Sequence, residues 1–358
     1  MGLSGAVGSM AVEVSVSDLE ATELAALGHH GDVDARPGLL DFAVNVRSRQ
    51  PPEWLRSRLA QRLNDLAAYP SAAEDRTTRE QVAARHGRTA EEVLLLAGAA
   101  EGFALLPALQ PVLAAVIHPS FTEPELAMRN AGVAVERVVL PRPWSLTQAA
   151  VPAQADLVVL GNPTNPTSVL HAPADVLALR RPGRTVVVDE AFADSAPGEP
   201  ASLAGQSLPD VLVLRSLTKT WALAGLRAGY LLGDPELLAR LARARPHWPL
   251  GTLQLEAIRA CCEPDAVRWA QREAEVIAEE RALMLELLGD WVVGSTGGPF
   301  LLLQVSDGDR VRQALVARGI AVRRCDTFPG LTANHLRVAV RGAEDARTLA
   351  KTMKAVLP

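Results

Sequence analysis

Val211-Leu212-Val213-Leu214 runs on into Ser216-Leu217-Thr218-Lys219-Thr220-Trp221-Ala222-Leu223-Ala224-Gly225-Leu226-Arg227. Four apolar residues in a row read as a strand buried on both faces. A lysine just beyond such a strand is costly to place unless it has a task. A primary amine has one suitable task, forming an imine with a carbonyl. The hydroxyls of Ser216 and Thr218 and the guanidinium of Arg227 are then available to hold an anion such as a phosphate. Taken alone, Lys219 reads as an ordinary loop lysine, so the other strand ends must decide its role.

The chain around this stretch alternates apolar runs with helical segments. Val93–Ala97, Leu113–His118, Val133–Leu140, Leu157–Leu160, Thr185–Val188, Val211–Leu214 and Leu226–Leu232 read as strands. A helix is expected from near Glu101 and another over Ala172–Arg180. Continuous apolar runs of this kind suit a mostly parallel sheet covered on both faces. The texture changes after about Pro246. A long Glu-, Arg- and Ala-rich helix is expected over 265–288, with a strand at Phe300–Val305 and a helix at Arg310–Ala317. Strands at Ala321–Arg323 and His335–Val340 and a last helix at Ala343–Val356 complete a smaller α+β unit.

Composition narrows the function classes. With 358 residues and 48% hydrophobic residues, the chain can bury a sizeable core and is not disordered. A net charge of −5 argues against a general nucleic-acid or acidic-membrane binder. The three cysteines, Cys261, Cys262 and Cys325, give no disulfide framework and no metal-ligand pair, so no metal site is expected. Met1–Val16 lacks the basic and apolar regions of a leader, and no apolar stretch is long enough to span a membrane. A reducing cytoplasm is the expected setting.

Functional groups gather at the carboxyl ends of the expected strands, where open α/β sheets bind ligands. Gly98-Ala99-Ala100-Glu101-Gly102 leaves backbone N–H groups free at a helix start, which suits a phosphate. Phe121 can stack on a flat ring. Gly161-Asn162-Pro163-Thr164-Asn165-Pro166 forms a rigid turn that can aim the Asn165 amide at a ring oxygen. Asp189, directly after Val186-Val187-Val188, can pair with a protonated pyridine nitrogen. An amine, a phosphate cradle, a stacking ring and a carboxylate converge on pyridoxal 5′-phosphate (PLP).

Together these motifs resemble the PLP enzymes of the aspartate-aminotransferase fold, the class I/II aminotransferases, over roughly residues 28–345. The resemblance implies an α/β fold of type I, with a large domain (40–246) whose mostly parallel seven-stranded sheet lies between helices. Residues 1–39 and 247–358 would form the smaller domain. It further implies that Lys219 carries the cofactor and shuttles a proton, Asp189 pairs with the pyridine nitrogen and Asn165 bonds the ring hydroxyl oxygen. Phe121 would stack on the ring. Ala99, Ala100, Ser216, Thr218 and Arg227 would hold the phosphate. Arg337, in His335-Leu336-Arg337-Val338-Ala339-Val340, matches the substrate-carboxylate arginine.

Within the family, the chain is most similar to the branch of histidinol-phosphate aminotransferase, the cobalamin-pathway aminotransferases and threonine-phosphate decarboxylase. His29-His30-Gly31-Asp32, Leu40-Asp41-Phe42-Ala43-Val44-Asn45 and Val322-Arg323-Arg324-Cys325 carry that likeness. It implies that Arg323 grips a substrate phosphate and that His30 and Asn45 also meet the substrate. Tyr69 would reach the active site of the neighbouring subunit in a homodimer. The expected partner is therefore a small phosphorylated amino acid, not a nucleic acid or a membrane. Three departures stand out: Arg47-Ser48 replaces the usual Asn-Pro, Ser168 a usual glycine and Phe192 a usual tyrosine. The expected activity is transamination, with decarboxylation of a phosphothreonine-like substrate as the alternative. A non-catalytic regulator on the same fold would need an added DNA-binding domain, and about 28 residues before the match are too few.

Overall fold

The computed structural model describes residues 24–357. Residues 1–23, including the Met1–Val16 stretch read for a leader, lie outside the described residues, as does Pro358. Strand β1 is Leu40–Asp41. Seven strands follow: β2 (Val93–Leu96), β3 (Leu113–His118), β4 (Ala134–Val139), β5 (Leu157–Gly161), β6 (Thr185–Asp189), β7 (Val211–Ser216) and β8 (Gly229–Leu232). They form one sheet in the order β2-β8-β7-β6-β5-β3-β4. The five strands β7 to β4 run parallel, and β8 runs antiparallel to both of its neighbours.

The unbroken apolar runs follow from this arrangement. Leu157 and Val159 of β5 enter the same core as Val187, Leu212 and Leu214. Their neighbours Val158 and Leu160 enter the opposite core with Val186, Val188 and Val213. A strand covered on both faces has no polar side, so its sequence shows no alternation. The edge strand β4 does alternate in burial, because it lies at the rim.

The C-terminal part adds β9 (Phe300–Gln304), β10 (Ile320–Ala321), β11 (Arg323–Arg324) and β12 (His335–Ala339). β11, β12 and β9 form an antiparallel sheet over a separate core. Strand β1 pairs parallel with β10, and Phe42 enters that same core. The 25-residue helix Pro264–Leu288 spans both units. Its Ala266 and Ala270 pack in the larger core, and its Ile277, Met284 and Leu288 in the smaller one.

Among the expected elements that differ in extent, three border the site. The strand expected over Leu226–Leu232 begins only at Gly229, because Leu223–Arg227 forms a turn in which Arg227 takes φ 60°. The strand expected over Ala321–Arg323 is two short strands, since Ala321 pairs with β1 whereas Arg323 pairs with β12. The helix expected near Glu101 starts at Ala99. No helix among the described residues is long and apolar enough to cross a membrane.

Candidate active site

A cavity of about 490 Å³ opens at the carboxyl ends of β5, β6 and β7. The C-terminal sheet closes it through Arg323 and Arg337, and the segments around His30 and Asn45 close it from the N-terminal side. Every residue singled out for cofactor or substrate lines this cavity, apart from Tyr69.

The ends of β6 and β7 are fixed by a buried ion pair on their far side. Arg215 Nη1 lies 3.1 Å from a Glu190 carboxylate oxygen, and that carboxylate also accepts from Ser202 Oγ and Leu203 N–H, each at 2.6 Å. Side chains alternate along a strand, so Asp189 and Ser216 face the cavity instead. Burial pushes the Asp189 carboxyl up to about 7. The Ala191 N–H, donating to Asp189 Oδ1 at 3.0 Å, works against that shift, as does the positive charge of Lys219. A buried carboxylate in this state gains most from a fixed cation.

At the phosphate end, Ser216 Oγ and Thr218 Oγ1 lie 2.8 Å apart, and Thr218 N–H donates to Ser216 Oγ at 3.3 Å. Gly98, with φ 83°, precedes the helix that begins at Ala99. A Cβ at Gly98 would stand 2.8 Å from Arg227 Nη2, so only glycine lets that guanidinium close over the turn. The residues present therefore fit a phosphate, held by hydroxyls, backbone N–H groups and one arginine.

The Asn162–Ser168 turn presents Asn165 to the cavity. Asn162 is locked by two hydrogen bonds with His171, one from Nδ2 to the His171 carbonyl at 3.0 Å and one to Oδ1 from His171 N–H at 2.9 Å. Ser168 takes φ 63°, which accounts for the glycine usual there. Its side chain offsets the strain by accepting from Gly298 N–H at 2.8 Å. Phe192 packs edge-on against Phe300 at 5.2 Å, so the replaced tyrosine hydroxyl has an apolar neighbour here.

Arg337 donates from Nη1 to Asn165 Oδ1 at 2.5 Å and from Nη2 to the Ala43 carbonyl. Its Nε is buried without a hydrogen-bond partner among the described residues. Burial, followed by the charge of Arg323, pushes its guanidinium down to about 9. Arg323 stands directly opposite Arg337 in the β11–β12 register. It is held by Asp34 at 3.2 Å, the His29 carbonyl at 2.7 Å and Thr327 Oγ1 at 2.9 Å, with its guanidinium 5.0 Å from the Phe328 ring centre. Asn45 Oδ1 is buried and lacks a partner among the described residues. Its segment is held by Arg341, which donates to the carbonyls of Asp41 at 3.0 Å and Val44 at 2.6 Å. Arg47, at the departure from Asn-Pro, donates its backbone N–H to the Lys219 carbonyl at 3.0 Å and pairs with Glu280 at 2.7 Å.

Tyr69 lies elsewhere. It is 75% exposed and stacks on Trp248 at 4.4 Å. Glu123 was not singled out from sequence, yet it lines the cavity beside His30. Its signal was local: it stands two residues after Phe121, where a helix-start acid is the commoner reading.

The profile of the family described as aminotransferase class I and II matches residues 37–356. The chain belongs to that family. It is accordingly a PLP-dependent aminotransferase, and the cavity described above is where its residues fit that cofactor. A histidinol-phosphate aminotransferase of Mycobacterium tuberculosis is 58% identical over 330 residues, covering 91% of this chain and 90% of the relative. The threonine-phosphate decarboxylase of Salmonella typhimurium is 30% identical over 336 residues, covering 89% of this chain and 91% of the relative. The solved histidinol-phosphate aminotransferase of Clostridium acetobutylicum shares the fold of this aminotransferase, with a TM-score of 0.82 at 22% identity over 89% of this chain and 99% of that one.

Proposed function

We propose that this aminotransferase acts on a small amine carrying a phosphate ester, of the histidinol-phosphate kind, and transfers its amino group to an acidic 2-oxo acid, which becomes an acidic amino acid. The carrying observation is the register pair of Arg323 and Arg337. Two buried guanidiniums directly opposite each other on neighbouring strands repel, and Asp34, paired with Arg323, offsets only part of their charge. A dianionic phosphate in one half-reaction and a carboxylate in the other would offset that repulsion, which an uncharged substrate would leave standing.

Bound PLP supplies an aldehyde and an electron-withdrawing pyridinium ring. In this reading Lys219 Nζ would anchor the cofactor covalently and would then carry the proton lost from the substrate carbon. Asp189 would hold the pyridine nitrogen protonated, and Asn165 would donate to the ring oxygen while its own Oδ1 accepts from Arg337. Phe121 would cover one face of the ring. Ser216, Thr218, Arg227 and the backbone at Ala99 and Ala100 would fix the phosphate. Arg323, Arg337, His30 and Asn45 orient the substrate.

The Salmonella relative supports a second reading, loss of CO₂ from a phosphorylated amino acid, because it too aligns along most of the chain. A substrate panel separates the two. Histidinol phosphate and O-phosphothreonine are offered beside their unphosphorylated forms with an acidic 2-oxo acid as amino acceptor, and carbonyl product and CO₂ are followed together. The expected result is carbonyl product from a phosphorylated amine with little from its plain form. CO₂ as the main product would replace transamination with decarboxylation, and equal rates with and without phosphate would remove the phosphate site.

We further propose a homodimer in which Tyr69 completes the partner's site. Its exposure and its stacking on Trp248 leave it accessible to a second copy. Mixing Tyr69→Ala with Lys219→Ala protein is expected to regain activity that neither has alone, because a hybrid holds one site with both residues. No recovery after subunit exchange would oppose a shared site.

A further inference from the structure

Besides Asp189, the cavity wall carries one other carboxylate, Glu123, among the described residues. An anion in a wall that also presents Lys219, Arg227, Arg323 and Arg337 works against an anionic substrate unless it is occupied. It is occupied: His30 Nε2 lies 2.5 Å from Glu123 Oε1. A carboxylate can only accept, so Nε2 carries the proton of that bond. The other ring nitrogen, Nδ1, has no hydrogen-bond partner among the described residues, and His30 lines the cavity.

Several contacts hold His30 in place. Its ring lies 5.4 Å from that of Phe121, in the loop that leads into the helix starting at Glu123. Thr122 Oγ1, between them, donates to the Leu27 carbonyl at 2.6 Å and ties the N-terminal segment to that loop. On the other side the same segment meets Arg323, which donates to the His29 carbonyl. A Cβ at Gly31 would sit 2.7 Å from the Ala43 carbonyl oxygen and 3.6 Å from Arg323 Cδ, so the chain beside His30 packs directly against the arginine corner. Asp34, on the same segment, pairs with Arg323 at 3.2 Å, with Arg312 at 3.7 Å and with His29 at 3.4 Å.

We propose that Glu123 is a positioning residue for substrate specificity: it pairs with His30 as an imidazolium and fixes its orientation, so that Nδ1–H donates to the phosphate of the substrate beside Arg323. This rests on the phosphorylated-substrate reading above. Glu123 acts through His30 and does not touch the substrate. A merely structural role is also defined, since Glu123 is the first residue of the helix Glu123–Asn130, where an acid favours the helix.

The test is steady-state kinetics with histidinol phosphate and histidinol for the wild type, Glu123→Ala, Glu123→Gln, His30→Ala, Arg323→Ala and the Glu123→Ala/His30→Ala double variant. Thermal melting checks that each variant is folded. Glu123→Ala is expected to raise KM for the phosphorylated substrate about tenfold, the worth of one charge-assisted hydrogen bond, with a smaller change in kcat and little change toward histidinol. Glu123→Gln keeps an acceptor oxygen for Nε2 and is expected to recover most of the loss. The double variant is expected to be no worse than His30→Ala, because the two act as one unit. Equal effects on both substrates, or fully additive losses in the double variant, would overturn the proposal. If Arg323→Ala loses the preference for phosphate and Glu123→Ala keeps it, only the role of Glu123 falls. If the wild type shows no preference, the phosphorylated-substrate reading falls, and the role of Glu123 with it.

Discussion

Lys219→Ala is expected to lower kcat by roughly four orders of magnitude or more while leaving the protein folded. The side chain is the anchor and the proton carrier in the proposed chemistry, and among the described residues no second lysine lines the site. The backbone does not depend on it. The Lys219 carbonyl accepts from Arg47 N–H, and Leu217, Thr218, Thr220 and Trp221 around it are all buried. The phosphate cradle also remains, so the variant should still take up the cofactor, more weakly and without a covalent link. Turnover and melting temperature measured together check this. Turnover within tenfold of the wild type would remove Lys219 from the centre of the site.

Asp189→Asn is expected to lower kcat by about 10²–10³, the range seen when one fixed charge or dipole is taken from a reacting centre. Its effect on the cofactor-free protein should have the opposite sign. The Asp189 carboxyl lies at about 7 in the fold against an ordinary value of 3.8, because burial penalises its charged form. Between those values the folded state binds more protons than the unfolded one, so stability falls as pH rises. The penalty is absent below the ordinary value and complete above about 7. Asp189→Asn carries no such charge and should therefore be more stable than the wild type at pH ~8 without cofactor, by at most roughly 4 kcal/mol, and melt higher. At pH ~4 the two should melt alike by the same linkage. A site residue that costs stability when empty is one built for a cation it does not yet hold. Equal melting at both pH values would contradict the burial of a charge at this position.

The fold was legible where burial is two-sided. Val211–Leu214 and Thr185–Val188 are apolar throughout because both of their faces enter a core. The helices Glu53–Gln61 and Ala72–His86 were not read, since each buries few side chains: Leu55 in the first, and Thr78, Val82 and Ala83 in the second. Stripes that thin leave little periodicity. The cofactor end of the site was legible because its residues stand next to strand ends, each beside its own motif. The substrate end was not, because it depends on pairings remote in sequence. His30 and Glu123 are 93 residues apart. Arg337 and Asn165 are 172 apart. The Ser216–Arg227 loop likewise concealed that Arg227 leaves the strand, since its positive φ has no glycine to announce it.

The most direct measurement on the site is to reduce the wild-type protein, purified with its cofactor, with borohydride and digest it. Peptide masses then show which residue carries the cofactor. Reduction turns an imine into a stable secondary amine, so the link survives digestion. The expected result is one labelled peptide, with the cofactor on Lys219. A label on another lysine, or cofactor released without any label, would contradict the reading of this cavity.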